Sequence, residues 1–169
     1  MSISIEKVSY ENSKDCRILE AALTNWFKNP KELNLIEPRL KYPFNFKKWI
    51  ALSYNNSNVE SFALRQNKWI IGIGNIIFYE DSKYAHIMHI FIDHKYRRKG
   101  LATKIIQHLE KLAHEKKIKK ITMRVMPKNK PAIKLYEKIG FKEKSIKNED
   151  LPNSSNNNKE AINLYKKIS

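Results

Sequence analysis

Five basic side chains surround one glycine near the middle of the chain: Lys95, Arg97, Arg98, Lys99 and Lys104 lie around Gly100. An apolar run ends just before this segment and a helical pattern begins at the glycine, so a strand-to-helix turn is predicted. Such a turn leaves the first N–H groups of the helix unpaired, and the helix dipole adds positive potential there. Gly100 and the small Ala102 would let an anion approach the backbone closely. The turn therefore predicts a phosphate-binding site.

The turn carries no other nucleotide-binding signature. It lacks the glycine spacing of a dinucleotide fingerprint, and no Gly-Lys-Ser or Gly-Lys-Thr sequence follows it. Taken alone, the same residues also fit a helix cap whose lysines are simply solvated. The choice between these two interpretations depends on the sequence that surrounds the turn.

Other reactive residue types form no pattern of their own. His86, His89 and His94 lie three and five residues apart, but no carboxylate or cysteine accompanies them at a usable spacing. No metal site is therefore predicted. Cys16 falls in a helical pattern and is expected to be a small core residue rather than a nucleophile.

Hydrophobic periodicity predicts the elements that position the turn. Alternation and short apolar runs indicate strands at 3–8, 59–64, 69–79, 84–92, 121–125, from 141, and 161–168. Helical spacing indicates helices at 18–26, 100–117 and 129–140, with short helical turns across 29–58. Asn129 is expected to cap the 129–140 helix, and residues 148–158 to form a polar loop. Hairpins that feed a strand-helix-strand unit imply a mixed α/β sheet flanked by helices, in a single domain over 1–169.

Composition excludes several classes of protein. The mean hydropathy is −0.61 and the apolar runs are far shorter than the ~20 residues of a membrane span, so a transmembrane protein is excluded. No positively charged start precedes an apolar block, so no secretory signal is expected. A single cysteine excludes an intramolecular disulfide framework and a cysteine-based zinc cluster. The expected setting is reducing and cytoplasmic.

The net charge points to polyanions but has a simpler explanation. The 33 Lys and Arg residues against 17 Asp and Glu give a formal charge of +16. Such an excess attracts nucleic acid, acidic membrane surfaces or a phosphorylated cofactor. Because lysine, isoleucine and asparagine are abundant together, a biased base composition explains most of the excess without a partner. The cluster around Gly100 is local and is not explained in this way.

The surroundings of the turn resemble the GCN5-related N-acetyltransferase (GNAT) family. The resemblance is carried by Arg97-x-x-Gly100-x-Ala102 between a strand and an amphipathic helix, then Val125-x-x-x-Asn129, Ala132, Leu135-Tyr136-Glu137-Lys138 and Gly140-Phe141. It is specific over residues 84–141; Arg97 and Ala102 stand where many members have Gln and Gly. It implies a mostly antiparallel sheet of six to seven strands with about four helices and a central splay at the cofactor site.

The resemblance also implies an acetyl-CoA site and its residues. The backbone of Ile90, Phe91 and Ile92 would pair with the pantetheine arm in the manner of an added strand. Asn129 would contact the cofactor beyond the splayed strands, and Tyr136 would be the general acid toward the leaving thiolate. The pyrophosphate loop would comprise Arg97, Arg98, Lys99, Gly100, Leu101, Ala102 and Thr103.

The general base and the acceptor are less defined. His86 lies where histone-type members carry a carboxylate base, and an unperturbed imidazole pKa of ~6.5 suits that role. Glu80 is a weaker candidate, and strand alternation places His89 on the face opposite His86. Arg124 stands where members that acetylate ribosomal-protein N-termini carry a glutamate base. That reversal argues against this activity and favours an acceptor with an acidic group.

The expected function is transfer of an acetyl group from acetyl-CoA to a primary amine by direct attack in a ternary complex. The acceptor is a small molecule, a protein lysine or a peptide N-terminus, and the sequence does not choose among them. The donor could also be a larger acyl-CoA, and the chain could form a homodimer. The alternative is a nucleic-acid or ribosome-associated binding module on the same fold, although no nucleic-acid motif is present. A second basic stretch supports that alternative: Lys116, Lys117, Lys119, Lys120, Arg124, Lys128 and Lys130.

Overall fold

The computed structural model describes residues 2–56, 58–144 and 161–168. The strands in these ranges are β1 (Ile3–Val8), β2 (Val59–Gln66), β3 (Trp69–Tyr79), β4 (Tyr84–Ile92), β5 (Lys120–Val125), β6 (Lys142–Glu143) and β7 (Ile162–Lys167). The α-helices are α1 (Ser13–Trp26), α2 (Pro30–Ile36), α3 (Phe46–Ser53), α4 (Leu101–Glu115) and α5 (Lys130–Ile139). Short 3-10 turns occupy Glu80–Ser82 and His94–Tyr96.

The strands form one seven-stranded sheet in the order β1-β2-β3-β4-β5-β7-β6. β4 and β5 run parallel, and the other neighbouring strands run antiparallel. A parallel pair needs a crossover connection, and α4 supplies it between β4 and β5. The prediction of a mixed, mostly antiparallel sheet is therefore confirmed, with the β4-α4-β5 unit at its centre.

Helices cover both faces of the sheet and divide the core in two. One apolar cluster lies under α4 and α5 and includes Ile105, Ile106 and Leu109 of α4, which are fully buried. The other lies under α1, α2 and α3 and is built around Trp49. Asparagine side chains cap these three helices, each accepting a hydrogen bond from the N–H three residues on: Asn12, Asn29 and Asn45.

Most predicted boundaries agree with the structure, and the differences are local. The β2–β3 hairpin turn is shorter than predicted because Asn67 adopts a left-handed φ of 55°, which asparagine tolerates. Asn129 occupies the N-cap of α5, but its side chain makes no capping hydrogen bond, so the predicted cap is wrong in that respect. The described ranges contain five α-helices rather than about four. The predicted loop at 148–158 lies outside the described residues.

No helix within the described ranges combines the length and the apolar character that crossing a bilayer requires.

Candidate functional site

A β-bulge interrupts β4. Two residues of β4, His89 and Ile90, oppose a single residue of β3, Gly74, and His89 has a left-handed φ of 51°. The extra residue breaks the alternation of the strand. Met88 and His89 consequently both face the layer of α1, α2 and α3. The prediction that His89 lies on the face opposite His86 is therefore wrong, because it assumed an uninterrupted strand.

β4 and β5 separate where the bulge begins. Their pairing ends at Ile87 and Met123, although both strands continue. Farther along, the N–H of Asp93 donates to a carbonyl of β3 at 2.8 Å. Because backbone groups of successive residues point to opposite edges of a strand, the N–H groups of Ile90 and Ile92 point into the gap. The sheet therefore has the central splay that the family resemblance implies.

The loop that connects β4 to α4 contains two residues with a left-handed backbone conformation. Gly100 has φ 76° and ψ 14°, and Arg98 has φ 64°. The first hydrogen bond of α4 joins the N–H of Lys104 to the carbonyl of Gly100 at 3.0 Å. The N–H groups of Leu101, Ala102 and Thr103 therefore have no partner within the helix. A helix N-terminus that follows residues with left-handed backbone conformation presents a concave row of N–H donors. Such a row suits an anion such as a phosphate.

The basic side chains of this loop have different surroundings. The Arg97 Nε donates to the carbonyl of Ile92 at 2.8 Å, and its guanidinium lies 5.0 Å from the centroid of the Phe91 ring. Arg97 is thus folded back onto β4, where it braces the loop. Arg98 and Lys99 are exposed. The Lys99 Nζ lies 5.5 Å from the centroid of the Tyr96 ring. Both side chains are open to solvent, where they can neutralise an anion.

Tyr136, the predicted acid, lies in the core between α5 and the sheet. It is 6% exposed, and its ring centroid is 6.4 Å from that of Phe141. Burial raises the pKa of its phenol above the ordinary value. Tyr136 therefore keeps its proton at any physiological pH and can act as a hydrogen-bond donor.

A cleft of about 930 Å³ opens beside the gap, between β4, β5 and the ends of α2 and α3. Of the predicted site residues, all of which the structure describes, only His86 lines this cleft. Its basic residues are Arg39, Arg124 and Lys144. Among the described residues that line it, Glu37 carries the only carboxylate. Positive charges therefore outnumber the single negative charge of Glu37 among the described residues that line the cleft.

His86 is held against β5. Its Nδ1 lies 2.8 Å from the hydroxyl of Thr122, which donates to the carbonyl of Ala85 at 3.4 Å. This arrangement assigns the imidazole proton to Nδ1 and leaves Nε2 as an acceptor. Burial, followed by the positive charge of Arg124, lowers the pKa of His86 to about 4. The imidazole is thus neutral at pH 7 and only a weak base. No group of three potential metal ligands occurs within the described ranges.

An ion pair in the wall of the cleft, between the buried Glu37 and the exposed Arg39, is not predicted by the sequence. Glu37 accepts hydrogen bonds from Nε and Nη2 of Arg39 at 3.0 and 2.7 Å, and lies 3.1 Å from Nε2 of His89. Burial raises the pKa of Glu37, but the hydrogen bonds from His89 and Arg39 outweigh burial and lower it to about 2. Glu37 lies in an irregular stretch before Pro38 and His89 lies at a bulge, so no periodic signal relates them.

This ion pair should make stability depend on pH. Because the folded pKa of Glu37 lies below its ordinary 4.5, the pair contributes up to roughly 3 kcal/mol above pH 4.5, and this contribution is lost as the pH falls toward 2. Glu37→Gln should therefore be less stable than the wild type at pH 7, with a difference that shrinks at pH 3. Urea unfolding of both proteins measures it. A difference that does not change with pH would contradict this assignment.

The comparisons with known proteins agree with this geometry. The chain is similar to an N-alpha-acetyltransferase from Saccharolobus solfataricus, at 34% identity over 63 residues, which are 37% of this chain and 38% of that protein. The matched segment thus spans about two fifths of that relative.

Two solved structures share the fold. A ribosomal-protein-S18-alanine N-acetyltransferase from Escherichia coli matches with a TM-score of 0.70 and 21% identity, over 99% of this chain and 95% of its own. A spermidine N-acetyltransferase from Vibrio cholerae, in complex with CoA and spermine, matches with a TM-score of 0.71 and 17% identity, over 98% and 95%. The acetyltransferase (GNAT) family profile matches residues 20–141. With most of its length matched and the splayed sheet in place, the chain belongs to the GNAT acetyltransferase family.

Proposed function

We propose that the chain transfers the acetyl group of acetyl-CoA to a primary amine by direct attack in a ternary complex. The observation that carries this proposal is the gap between β4 and β5, which leads to the N–H groups at the start of α4. An extended pantetheine arm suits an open strand edge, and a pyrophosphate suits a helix N-terminus. When bound, acetyl-CoA would supply an activated acetyl thioester.

The proposed cofactor path runs from the gap to the loop. Ile90 and Ile92 offer N–H groups, whereas the carbonyl of Ile92 is already taken by Arg97. Phe91 anchors the strand by packing against the rings of Trp26 and Phe27. Asn129 follows β5 and would contact the cofactor from that side. The loop that would hold the pyrophosphate comprises Arg97, which braces it from β4, and Arg98, Lys99, Gly100, Leu101, Ala102 and Thr103.

Tyr136 would stabilise the charge that develops on the leaving sulfur. A buried phenol with a raised pKa is a poorer proton donor than free tyrosine, and a thiol has a reference pKa of only ~8.5. Complete proton transfer to the thiolate is therefore uphill. Donation of a hydrogen bond toward the sulfur is the role that this environment favours.

We infer that the acceptor carries an acidic group. Arg124 and Lys144 are exposed on the cleft, whereas the carboxylate of Glu37 is already neutralised by Arg39. Such a cleft attracts a carboxylate and repels a polycation. It also lowers the pKa of a bound amine, since positive surroundings disfavour the ammonium form. A neutral amine then needs only a weak base, such as water or His86.

Charge reversal at Arg124 tests the acceptor class. We expect Arg124→Glu to lower kcat/KM about tenfold for a peptide that has a free amine and acidic residues after it, and to raise kcat/KM for spermidine. Release of the CoA thiol measures both rates. Lys128→Glu makes the same charge change outside the cleft and should alter neither value by more than about twofold. Equal effects of the two substitutions would contradict an acidic acceptor.

Calorimetric titration of acetyl-CoA into the wild-type chain tests the central proposal. A dissociation constant in the micromolar range would support it and would justify an amine screen, with a longer acyl-CoA titrated in parallel to define the donor. Absence of binding to folded protein would overturn it. A steeply salt-dependent affinity for RNA would then favour the nucleic-acid alternative.

A further inference from the structure

The side chain of His89 is held on three sides by α2, α3 and the residues that follow them. Its Nε2 lies 3.1 Å from Oε1 of Glu37, its Nδ1 lies 2.5 Å from the hydroxyl of Tyr54, and its ring stacks on Trp49 with centroids 4.2 Å apart. Because the carboxylate of Glu37 can only accept a hydrogen bond, Nε2 of His89 must carry the proton. Nδ1 then accepts a hydrogen bond from the hydroxyl of Tyr54. Both ring nitrogens are thus occupied, and neither is free to take a proton from an acceptor amine.

The same bulge is braced from β3. Nδ2 of the buried Asn75 lies 3.4 Å from the carbonyl of Met88 and 3.5 Å from that of His89. Opposite the bulge lies Gly74, where a Cβ would be 2.7 Å from Cδ1 of Ile105. The missing side chain at Gly74 therefore lets α4 pack directly over the bulge. Side chains from α2, α3 and β3 thus fix a segment that the strand ladder itself leaves irregular.

We propose that His89, which borders the cleft but directs both ring nitrogens to Glu37 and Tyr54, is a positioning residue. It ties the β4 bulge to α2 and so maintains the gap proposed to bind acetyl-CoA. A left-handed φ is unfavourable for most side chains, and histidine adopts it more readily than leucine. When these contacts are lost, the bulge relaxes toward a regular strand. The N–H of Ile90 then rotates away from the gap.

Acetyl-CoA affinity in matched variants tests the proposal, which rests on the proposed function for the identity of the ligand. His89→Leu should weaken acetyl-CoA binding about tenfold by calorimetry. His89→Gln, whose amide can still donate to Glu37, should restore most of that affinity. Leu19→Ala, a cavity in the same apolar layer on α1, should lower the melting temperature without changing the dissociation constant.

Hydrogen exchange of the ligand-free proteins provides a second result that does not depend on acetyl-CoA. His89→Leu should speed amide exchange in residues 88–92 at least tenfold, and Leu19→Ala should not. If His89→Leu does not fold, Asn75→Ala removes the other brace and should give the same two changes. If the wild type fails to bind acetyl-CoA, the proposed function fails, and the exchange data still decide the role of His89. Unchanged exchange at 88–92 and unchanged affinity in folded variants would overturn the proposal.

Discussion

Gly100→Trp should weaken acetyl-CoA binding more than 100-fold while leaving the protein folded. A Cβ at Gly100 would meet no protein atom within 4 Å, so an indole would project into the open space at the start of α4. That space is where the N–H groups of Leu101, Ala102 and Thr103 would hold the pyrophosphate. Calorimetry measures the affinity, and circular dichroism checks the fold.

Backbone strain must be separated from steric blocking in this experiment. Gly100 has φ 76°, a conformation that tryptophan disfavours and asparagine tolerates. Gly100→Asn should therefore keep the loop conformation and lose no more than about tenfold in affinity. If Gly100→Trp binds acetyl-CoA as the wild type does, the pyrophosphate does not lie on this loop.

Tyr136→Phe should lower kcat by roughly 100-fold to 1000-fold, with the acetyl-CoA dissociation constant nearly unchanged. The substitution keeps the buried ring and removes only the hydroxyl that would face the leaving sulfur. Because burial raises the pKa of Tyr136, the basic limb of the pH–rate profile should not report on this residue near neutral pH. Single-turnover acetyl transfer to the acceptor found in the amine screen measures the effect.

A second tyrosine provides the control for Tyr136. Tyr42 donates its hydroxyl to the carbonyl of Lys28 at 2.7 Å, and it does not line the cleft. Tyr42→Phe should therefore leave kcat unchanged. If Tyr136→Phe retains kcat within about threefold, the tyrosine only packs against the sheet and the thiolate receives its hydrogen bond elsewhere.

Regular periodicity explains why much of the fold is predictable from the sequence. β4 is predicted at residues 84–92 and occupies Tyr84–Ile92, because Tyr84 to Ile87 alternate strictly and the basic turn follows Ile92. The apolar stripe of α4 fixes its buried face in the same way. The proposed cofactor loop is predictable because its glycine and its charges are adjacent in sequence.

The acceptor side of the site depends on features that have no period. A bulge adds one residue to β4, and the residue types around His89 do not predict it. Glu37 and His89 are 52 residues apart and meet only because α2 folds over that bulge. The pKa of His86 depends on burial and on Arg124 across the splay, which the sequence does not bring together. The proposed cofactor site is thus encoded locally, whereas the proposed acceptor site depends on tertiary contacts.

The gap between β4 and β5 leaves unpaired backbone groups in the interior of the sheet. A strand from another protein molecule could pair with these groups as readily as a ligand could. A coenzyme at a hundred times its dissociation constant would add about 2.7 kcal/mol to the free energy of unfolding and would cover these groups. Ligand-free protein would therefore be the form most prone to aggregate through strand exchange. Abundance of the folded protein in a cell would then follow the supply of coenzyme as well as the rate of synthesis.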